Sequence, residues 1–169
     1  MVCGAAEARA ARVAGRMAAW RAHAYGAPAA ELRLEAARVP PLTAPDHLLV
    51  RVRAASLNPL DRAMLEGYGS RVLNALRAAE GLCGWSSAGA GAGACAGGEG
   101  SEFPLVVGRD FVGTVARAGP AARARRGARV WGVLPPHRPG ALADYVLARD
   151  AWVPYHRTAF YFADYTLGQ

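Results

Sequence analysis

Three of the polar side chains in the segment of residues 57–69, LNPLDRAMLEGYG, could take part in chemistry. Asn58 carries an amide that can donate a hydrogen bond to a carbonyl group or cap a helix. Asp61 carries a carboxylate that can act as an acid, orient nearby backbone N–H groups or pair with an arginine. Tyr68 carries a phenol that can donate a proton, or it is a partly buried aromatic residue at a turn. The segment therefore supplies three candidate catalytic residues: Asn58, Asp61 and Tyr68.

A second motif, EFPLVVGRDFVG, spans residues 102–113. Two separated motifs in this order resemble the N-terminal, GroES-like barrel of the medium-chain dehydrogenase/reductase superfamily. Within that superfamily they are similar to the zinc-free, quinone-oxidoreductase-type branch, and in particular to its mitochondrial, reticulon-interacting members. The resemblance extends from about Met17 to about Pro154, with a gap across a glycine- and alanine-rich tract.

The resemblance implies a function. Members of the branch transfer a hydride from NADPH to a quinone or to an activated carbonyl or alkene, and the barrel lines one side of the reaction cleft. By resemblance, Asn58 lies at the nicotinamide end of that cleft as a cofactor-binding residue, although it could also only cap the following helix. Because no glycine-rich fingerprint opens a helix after a strand, we expect the dinucleotide-binding (Rossmann) domain to be absent and the chain alone to be inactive. The alternative is a non-enzymatic module that binds a membrane-associated partner such as a reticulon.

The resemblance also predicts that no metal is bound. Zinc-dependent members of the superfamily have a cysteine at the position of Asn58 and a His-Glu pair at the position of Arg109-Asp110. An arginine has no lone pair to give, and one carboxylate does not make a catalytic zinc site. We instead expect Arg109 and Asp110 to form an internal ion pair that fixes the floor of the cleft.

Composition limits the remaining possibilities. The 169 residues, 53% of them hydrophobic, allow one domain with an ordinary core. The net charge of +7 comes from 20 arginines and no lysine, and isoleucine is also lacking. This pattern is typical of a GC-rich gene, and the arginines are scattered along the sequence, so we predict no nucleic-acid partner. No apolar run is long enough for a transmembrane segment.

Periodicity and turn residues predict a mainly β fold with short helices. The expected helices follow Asn58, which is a good N-cap, and occupy residues 71–80. We expect residues 39–46 to form a loop and the four histidines, at positions 23, 47, 137 and 156, to lie at the surface or in loops. The predicted strands cover residues 20–25, 31–35, 48–55, 110–117, 130–134 and 141–147.

Three further segments stand outside the predicted barrel, which covers residues 17–154. Residues 1–16 are rich in alanine and arginine and predict a mitochondrial transit peptide. Residues 85–100 form a glycine- and alanine-rich tract, interpreted as a flexible surface loop. Residues 155–169 form an aromatic tail that departs from the family, either as a variant terminus that truncates the protein or as a last strand of the barrel.

Overall fold

The computed structural model describes residues 15–82 and 103–153. Within these ranges the chain is built mainly of strands, as predicted. The strands are β1 Arg16–Ala22, β2 Arg33–Arg38, β3 His47–Ala55, β4 Leu105–Val106, β5 Asp110–Ala118, β6 Arg129–Val133 and β7 Tyr145–Arg149. The helices are α1 Pro28–Glu31, α2 Pro59–Leu65 and α3 Ser70–Leu82, and a 3-10 turn covers Asp150–Trp152.

The described strands form two antiparallel sheets. The larger sheet has the order β6-β5-β3-β7, and the smaller sheet has the order β2-β1-β4. An isolated bridge between Ala19 and Ala143 joins the smaller sheet to the segment before β7. Two backbone hydrogen bonds reinforce it, from Trp20 N–H to Leu142 O and from Asp144 N–H to Ala18 O, each 2.9 Å long. The first strand is therefore attached to a segment near the end of the described chain.

The main core lies against the inner face of the larger sheet. Its buried members come from all four strands of that sheet and from the connections between them, and they include Val50, Phe111, Val115, Val130 and Val146. The strand alternation explains the burial, because every second side chain of β5 and β6 points inward. A second cluster, around Met64, Leu65 and Val107, packs helix α2 onto the segment before β5.

The strand boundaries differ from the predictions where tertiary contacts decide them. The first strand is Arg16–Ala22 rather than residues 20–25, and residues 28–31 form helix α1 where a strand was expected to begin. Residues 141–144 precede β7 instead of forming its first half, because their backbone groups bond to Gly108, Val107 and Ala18. The loop over residues 39–46 and both predicted helices are confirmed.

Strand β3 contains an irregularity that the alternation pattern did not reveal. Its register against β5 shifts between Leu49 and Val50 and again between Val52 and Ala54. Strict alternation from Leu48 and Val50, which are fully buried, would also bury Ala54, but Ala54 is exposed. A register shift moves the following side chains to the other face of a sheet.

The predictions for the tract at 85–100 and the tail at 155–169 lie outside the described residues. The predicted transit peptide, residues 1–16, overlaps the described residues only at its end, where Arg16 begins β1. Among the described helices, none has the length and apolar character needed to cross a membrane.

Candidate functional site

The candidate site is built around the N-terminus of helix α2. Asn58 is the N-cap, and its Oδ1 accepts hydrogen bonds from the N–H groups of Leu60 at 2.9 Å and Asp61 at 3.4 Å. In return the Asp61 carboxylate accepts from the Asn58 N–H at 3.0 Å, which completes a capping box. Pro59 at the first helical position loses no hydrogen bond there. The local sequence thus fixes the backbone of Asn58 without help from distant residues.

Asp61 also connects the helix to the second motif. Its Oδ1 accepts from the N–H of Gly108 at 2.7 Å, across 47 positions of sequence. The same oxygen lies 3.7 Å from Nε of Arg109, and both side chains are only 3% exposed. Because both carboxylate oxygens are engaged and buried, this geometry favours the interpretation in which Asp61 orients backbone and pairs with an arginine over a role as an acid.

Arg109 is a buried cation enclosed by carbonyl oxygens. Its Nη1 donates to the carbonyls of Pro135 at 2.9 Å and Arg138 at 2.8 Å, and its Nη2 donates to Val106 O at 3.0 Å. Burial lowers the pKa of Arg109 to about 10, partly offset by the neighbouring Asp61, so the guanidinium remains protonated at neutral pH.

The predicted Arg109–Asp110 ion pair is wrong. Arg109 pairs with Asp61, while Asp110 accepts a 2.6 Å hydrogen bond from the hydroxyl of Ser56. The reason is the geometry of extended backbone, in which successive side chains point to opposite sides. Arg109 therefore faces the interior under α2, and Asp110 joins the start of β5 to the end of β3.

The site does not fit a catalytic zinc ion. The guanidinium of Arg109 lies beside Asp61, and the only oxygen of the Asn58 side chain already caps α2. Arginine offers no lone pair, so the position where zinc enzymes carry histidine cannot ligate. Within the described ranges, no three His, Cys, Asp or Glu side chains come together as a metal-binding group.

Asn58 and Tyr68 keep polar groups available to a ligand. Asn58 is half-buried, and its Nδ2 makes no hydrogen bond within the described part of the chain, since only Oδ1 is used in the cap. Tyr68 is 70% exposed rather than partly buried. Apolar side chains lie on either side of Asn58 in sequence, with Leu57 at 59% and Leu60 at 39% exposure. The arrangement offers an amide donor between exposed apolar groups.

Two glycines and one histidine were not recognised as structural residues from the sequence. Gly108 has φ = +89°, and a Cβ there would lie 3.1 Å from Leu142 N, so a side chain would strain the turn that presents its N–H to Asp61. A Cβ on Gly140 would collide with Val107 O and with Nη2 of Arg109. His47 was predicted at the surface or in a loop, but it is fully buried at the start of β3.

The surroundings of His47 explain its burial. Its Nδ1 accepts from the N–H groups of Thr43 at 3.3 Å and Ala44 at 3.1 Å, which closes the turn before β3. Burial lowers the pKa of His47 below its ordinary value of 6.5, and Arg149 and Arg138 lower it further against an opposing contribution from Asp46. A neutral His47 therefore stabilises this turn.

Comparison with known proteins places this geometry in a family. The family model of the alcohol dehydrogenase GroES-like domain matches residues 44–156. The chain is 38% identical over 135 residues to the mitochondrial NAD(P)H oxidoreductase RTN4IP1 of Drosophila melanogaster. It is 32% identical over 117 residues to the mitochondrial reticulon-4-interacting protein 1 of Caenorhabditis elegans. These matches cover 79% and 69% of this chain, respectively, and 28% of each relative.

The structure is also similar to the solved structure of an oxidoreductase. The quinone oxidoreductase of Coxiella burnetii superposes with a TM-score of 0.60 at 25% identity, over 82% of this chain and 36% of that one. The chain belongs to the alcohol dehydrogenase GroES-like domain family of the medium-chain dehydrogenases/reductases. It spans 28% of the length of the D. melanogaster and of the C. elegans relative.

Proposed function

We propose that this chain is the substrate-side barrel of a mitochondrial NAD(P)H-dependent oxidoreductase that reduces a quinone or an activated carbonyl or alkene. The observation that carries the proposal is the half-buried amide of Asn58. Its oxygen is fixed by the capping box, while its Nδ2 remains available as a donor beside exposed apolar side chains. The similarity to RTN4IP1 oxidoreductases and to a quinone oxidoreductase supports the reaction class.

A fixed amide donor suits the reduction of a carbonyl. Negative charge develops on the substrate oxygen as the hydride arrives, and a donor that is already oriented stabilises that charge without reorganisation. Asn58 is held at both its backbone N–H and its Oδ1, so its Nδ2 points in a defined direction. Leu57 and Leu60 supply apolar surface for the body of a quinone or an enone.

The barrel contributes only one wall of such a cleft. A bound nicotinamide cofactor supplies the hydride, and the protein positions it against the acceptor. All strand pairs in residues 15–82 and 103–153 are antiparallel, so this part of the chain contains no parallel dinucleotide-binding unit. Positioning two reactants contributes about 7–11 kcal/mol when it is complete, and most of this is unavailable to the barrel alone. We therefore expect the 169-residue chain by itself not to oxidise NADPH.

The experiment fuses the chain to the dinucleotide-binding domain of a full-length relative and follows quinone-dependent oxidation of NADPH. Two substitutions separate the roles of Asn58. Asn58→Ser keeps a capping oxygen but removes the amide donor, whereas Asn58→Ala removes both. We expect both variants to lower kcat, and only Asn58→Ala to lower stability as well.

An unchanged kcat in the Asn58→Ser fusion would remove Asn58 from the mechanism. Saturable NADPH oxidation by the unfused chain would contradict the proposed division of labour. An NADPH-binding titration of the fusion separates the enzyme from the alternative, a non-enzymatic module that binds a membrane-associated partner. The name of the C. elegans relative supports a reticulon as such a partner.

A mitochondrial location is part of the same proposal. The relatives named above are described as mitochondrial, and residues 1–16 have the arginine-rich, acid-poor composition of a transit peptide. Residues 1–30, which include the predicted transit peptide of residues 1–16, should direct a fused fluorescent reporter to mitochondria. A diffuse cytosolic signal from this reporter would contradict the location.

A further inference from the structure

Five exposed arginines come together on the solvent side of the larger sheet, although they are scattered in the sequence. We call this surface the arginine face, and its members are Arg51 on β3, Arg117 on β5, Arg125 and Arg126 in the turn before β6, and Arg129 on β6. The sequence did not indicate such a cluster, because the register of three strands is needed to assemble it.

The register places these residues side by side. Thr114 on β5 lies opposite Arg51 on one side and opposite Arg129 on the other, so the three residues form one row across the sheet. The register shift between Leu49 and Val50 brings Arg117 to the same face, where it lies opposite Leu49. Neighbouring strands are about 4.8 Å apart, so Arg51 and Arg129 emerge about 10 Å from each other.

The turn before β6 extends the same charge. Arg117, Arg125 and Arg126 line one open groove together with Gly119 and Pro120. Arg125 also donates to the carbonyl of Ala122, which holds part of its side chain against the turn. The groove therefore extends the arginine face from the strands into the turn before β6.

The acidic residues of the described chain do not neutralise this face. Five carboxylates form ion pairs, and their partners are Arg21, Arg62, Arg109, Arg123 and Arg149. Within the described ranges no member of the arginine face takes part in an ion pair. The face is thus a concentrated positive surface that an anionic partner would complement.

We propose that the arginine face binds the surface of a membrane that contains anionic phospholipids. Arginines close to such a surface are attracted to its phosphate groups, by an amount that corresponds to roughly five-fold in affinity for each. The side chains next to the arginine row on the same face are Val112 and Trp131, and Val133 beyond them is 54% exposed. Tryptophan is enriched at the headgroup boundary, whereas a single-stranded nucleic acid would require a series of aromatic rings for stacking.

The experiment measures co-sedimentation of the full 169-residue chain with vesicles. One set contains equal amounts of phosphatidylglycerol and phosphatidylcholine, and the other contains phosphatidylcholine alone. We expect binding to the anionic vesicles only, and loss of that binding near 1 M salt, where the Debye length falls to about 3 Å. Binding to both sets that is insensitive to salt would overturn the proposal.

A matched pair of double variants tests the location. Arg51→Gln/Arg129→Gln removes two charges from the arginine face and should weaken binding by roughly 25-fold. Arg33→Gln/Arg38→Gln removes two exposed charges from β2 in the smaller sheet and should change binding by less than about two-fold, since charges more than a Debye length of ~8 Å from the membrane are screened. Circular dichroism spectra confirm that each variant is folded.

Two outcomes would reject the arginine face as a membrane site. Equal losses in both double variants would mean that net charge alone drives binding. Competition by single-stranded polyuridylate, with tighter binding to the RNA than to the vesicles, would mean that the face recognises a nucleic acid instead.

Discussion

Asp61 and Arg109 form the central contact of the site, with the carboxylate Oδ1 lying 3.7 Å from the guanidinium Nε and both side chains 3% exposed. Each of the two side chains also hydrogen-bonds to backbone groups that the other side chain does not contact. Asp61 accepts from the N–H groups of Asn58 and Gly108, and Arg109 donates to three carbonyls. The pair thus joins helix α2 to the segments before β5 and β7.

Removing one member of this pair should be strongly destabilising. We expect Asp61→Asn to lower the free energy of unfolding by about 3–5 kcal/mol, because Arg109 is then buried without a counter-charge. The measurement is urea denaturation. The control is Glu66→Gln, which breaks the exposed Arg62–Glu66 pair and should cost at most about 1 kcal/mol. Similar costs for the two variants would show that the Asp61–Arg109 contact contributes little.

Asn58→Ala should weaken the start of helix α2. Loss of the capping oxygen costs about 1 kcal/mol and leaves the N–H of Leu60 without its partner. Hydrogen exchange at the amides of Leu60 and Asp61 should accelerate, while Asn58→Ser should retain most of the protection. Unchanged exchange in Asn58→Ala would mean that the cap does not stabilise the helix.

The stability of the fold should decrease as the pH falls below about 6.5. The unfolded chain binds a proton at His47 near its ordinary pKa of 6.5, and the folded chain binds it less readily because burial lowers that pKa. Stability from the neutral ring is therefore complete above pH 6.5 and is lost progressively below it, down to the folded pKa. A protonated Nδ1 would face the N–H groups of Thr43 and Ala44 instead of accepting from them.

The check is the urea midpoint at about pH 7.5 and about pH 5.5, a range in which histidine is the side chain that ordinarily titrates. His47→Asn keeps an acceptor near the position of Nδ1 and cannot be protonated. We expect this variant to show a smaller difference between the two midpoints than the parent chain. An identical difference would assign the pH dependence to another group.

Purified, tag-free protein should contain no stoichiometric zinc. The reason is that a guanidinium occupies the position beside Asp61 where a zinc enzyme needs an imidazole. Elemental analysis after dialysis against zinc, with a zinc-dependent alcohol dehydrogenase as the positive control, tests the expectation. One zinc ion retained per chain would require ligands outside this site.

Patterns of neighbouring residues predicted the helix start and the strand that depend on neighbouring residues alone. The Asn58-Pro59 pair fixed the start of α2 correctly, because an N-cap depends only on the next few residues. The alternation of apolar and polar residues predicted strand β3 correctly, because this pattern also depends only on neighbouring residues. Its two register shifts depend on pairing with β5, and so the alternation did not reveal the exposure of Ala54.

Contacts between residues far apart in the sequence were not predicted from local patterns. The partner of Arg109 is 48 positions away, and the sequence alone suggested its neighbour Asp110 instead. His47 was predicted at the surface or in a loop because two of its hydrogen bonds come from backbone N–H groups, which every residue carries. The arginines of the arginine face looked scattered because only the strand register brings them together.

The attachment of β1 has a consequence for the order of events during synthesis. Ala18 N–H donates to the carboxylate of Asp144 across 126 positions, and Asp144 N–H donates back to Ala18 O. At about 5–20 residues per second, Asp144 leaves the ribosome roughly 6–25 s after Ala18. Throughout that interval β1 can pair with β2 but lacks its contacts to residues 142–144, so the nascent barrel remains open beside its N-terminal segment.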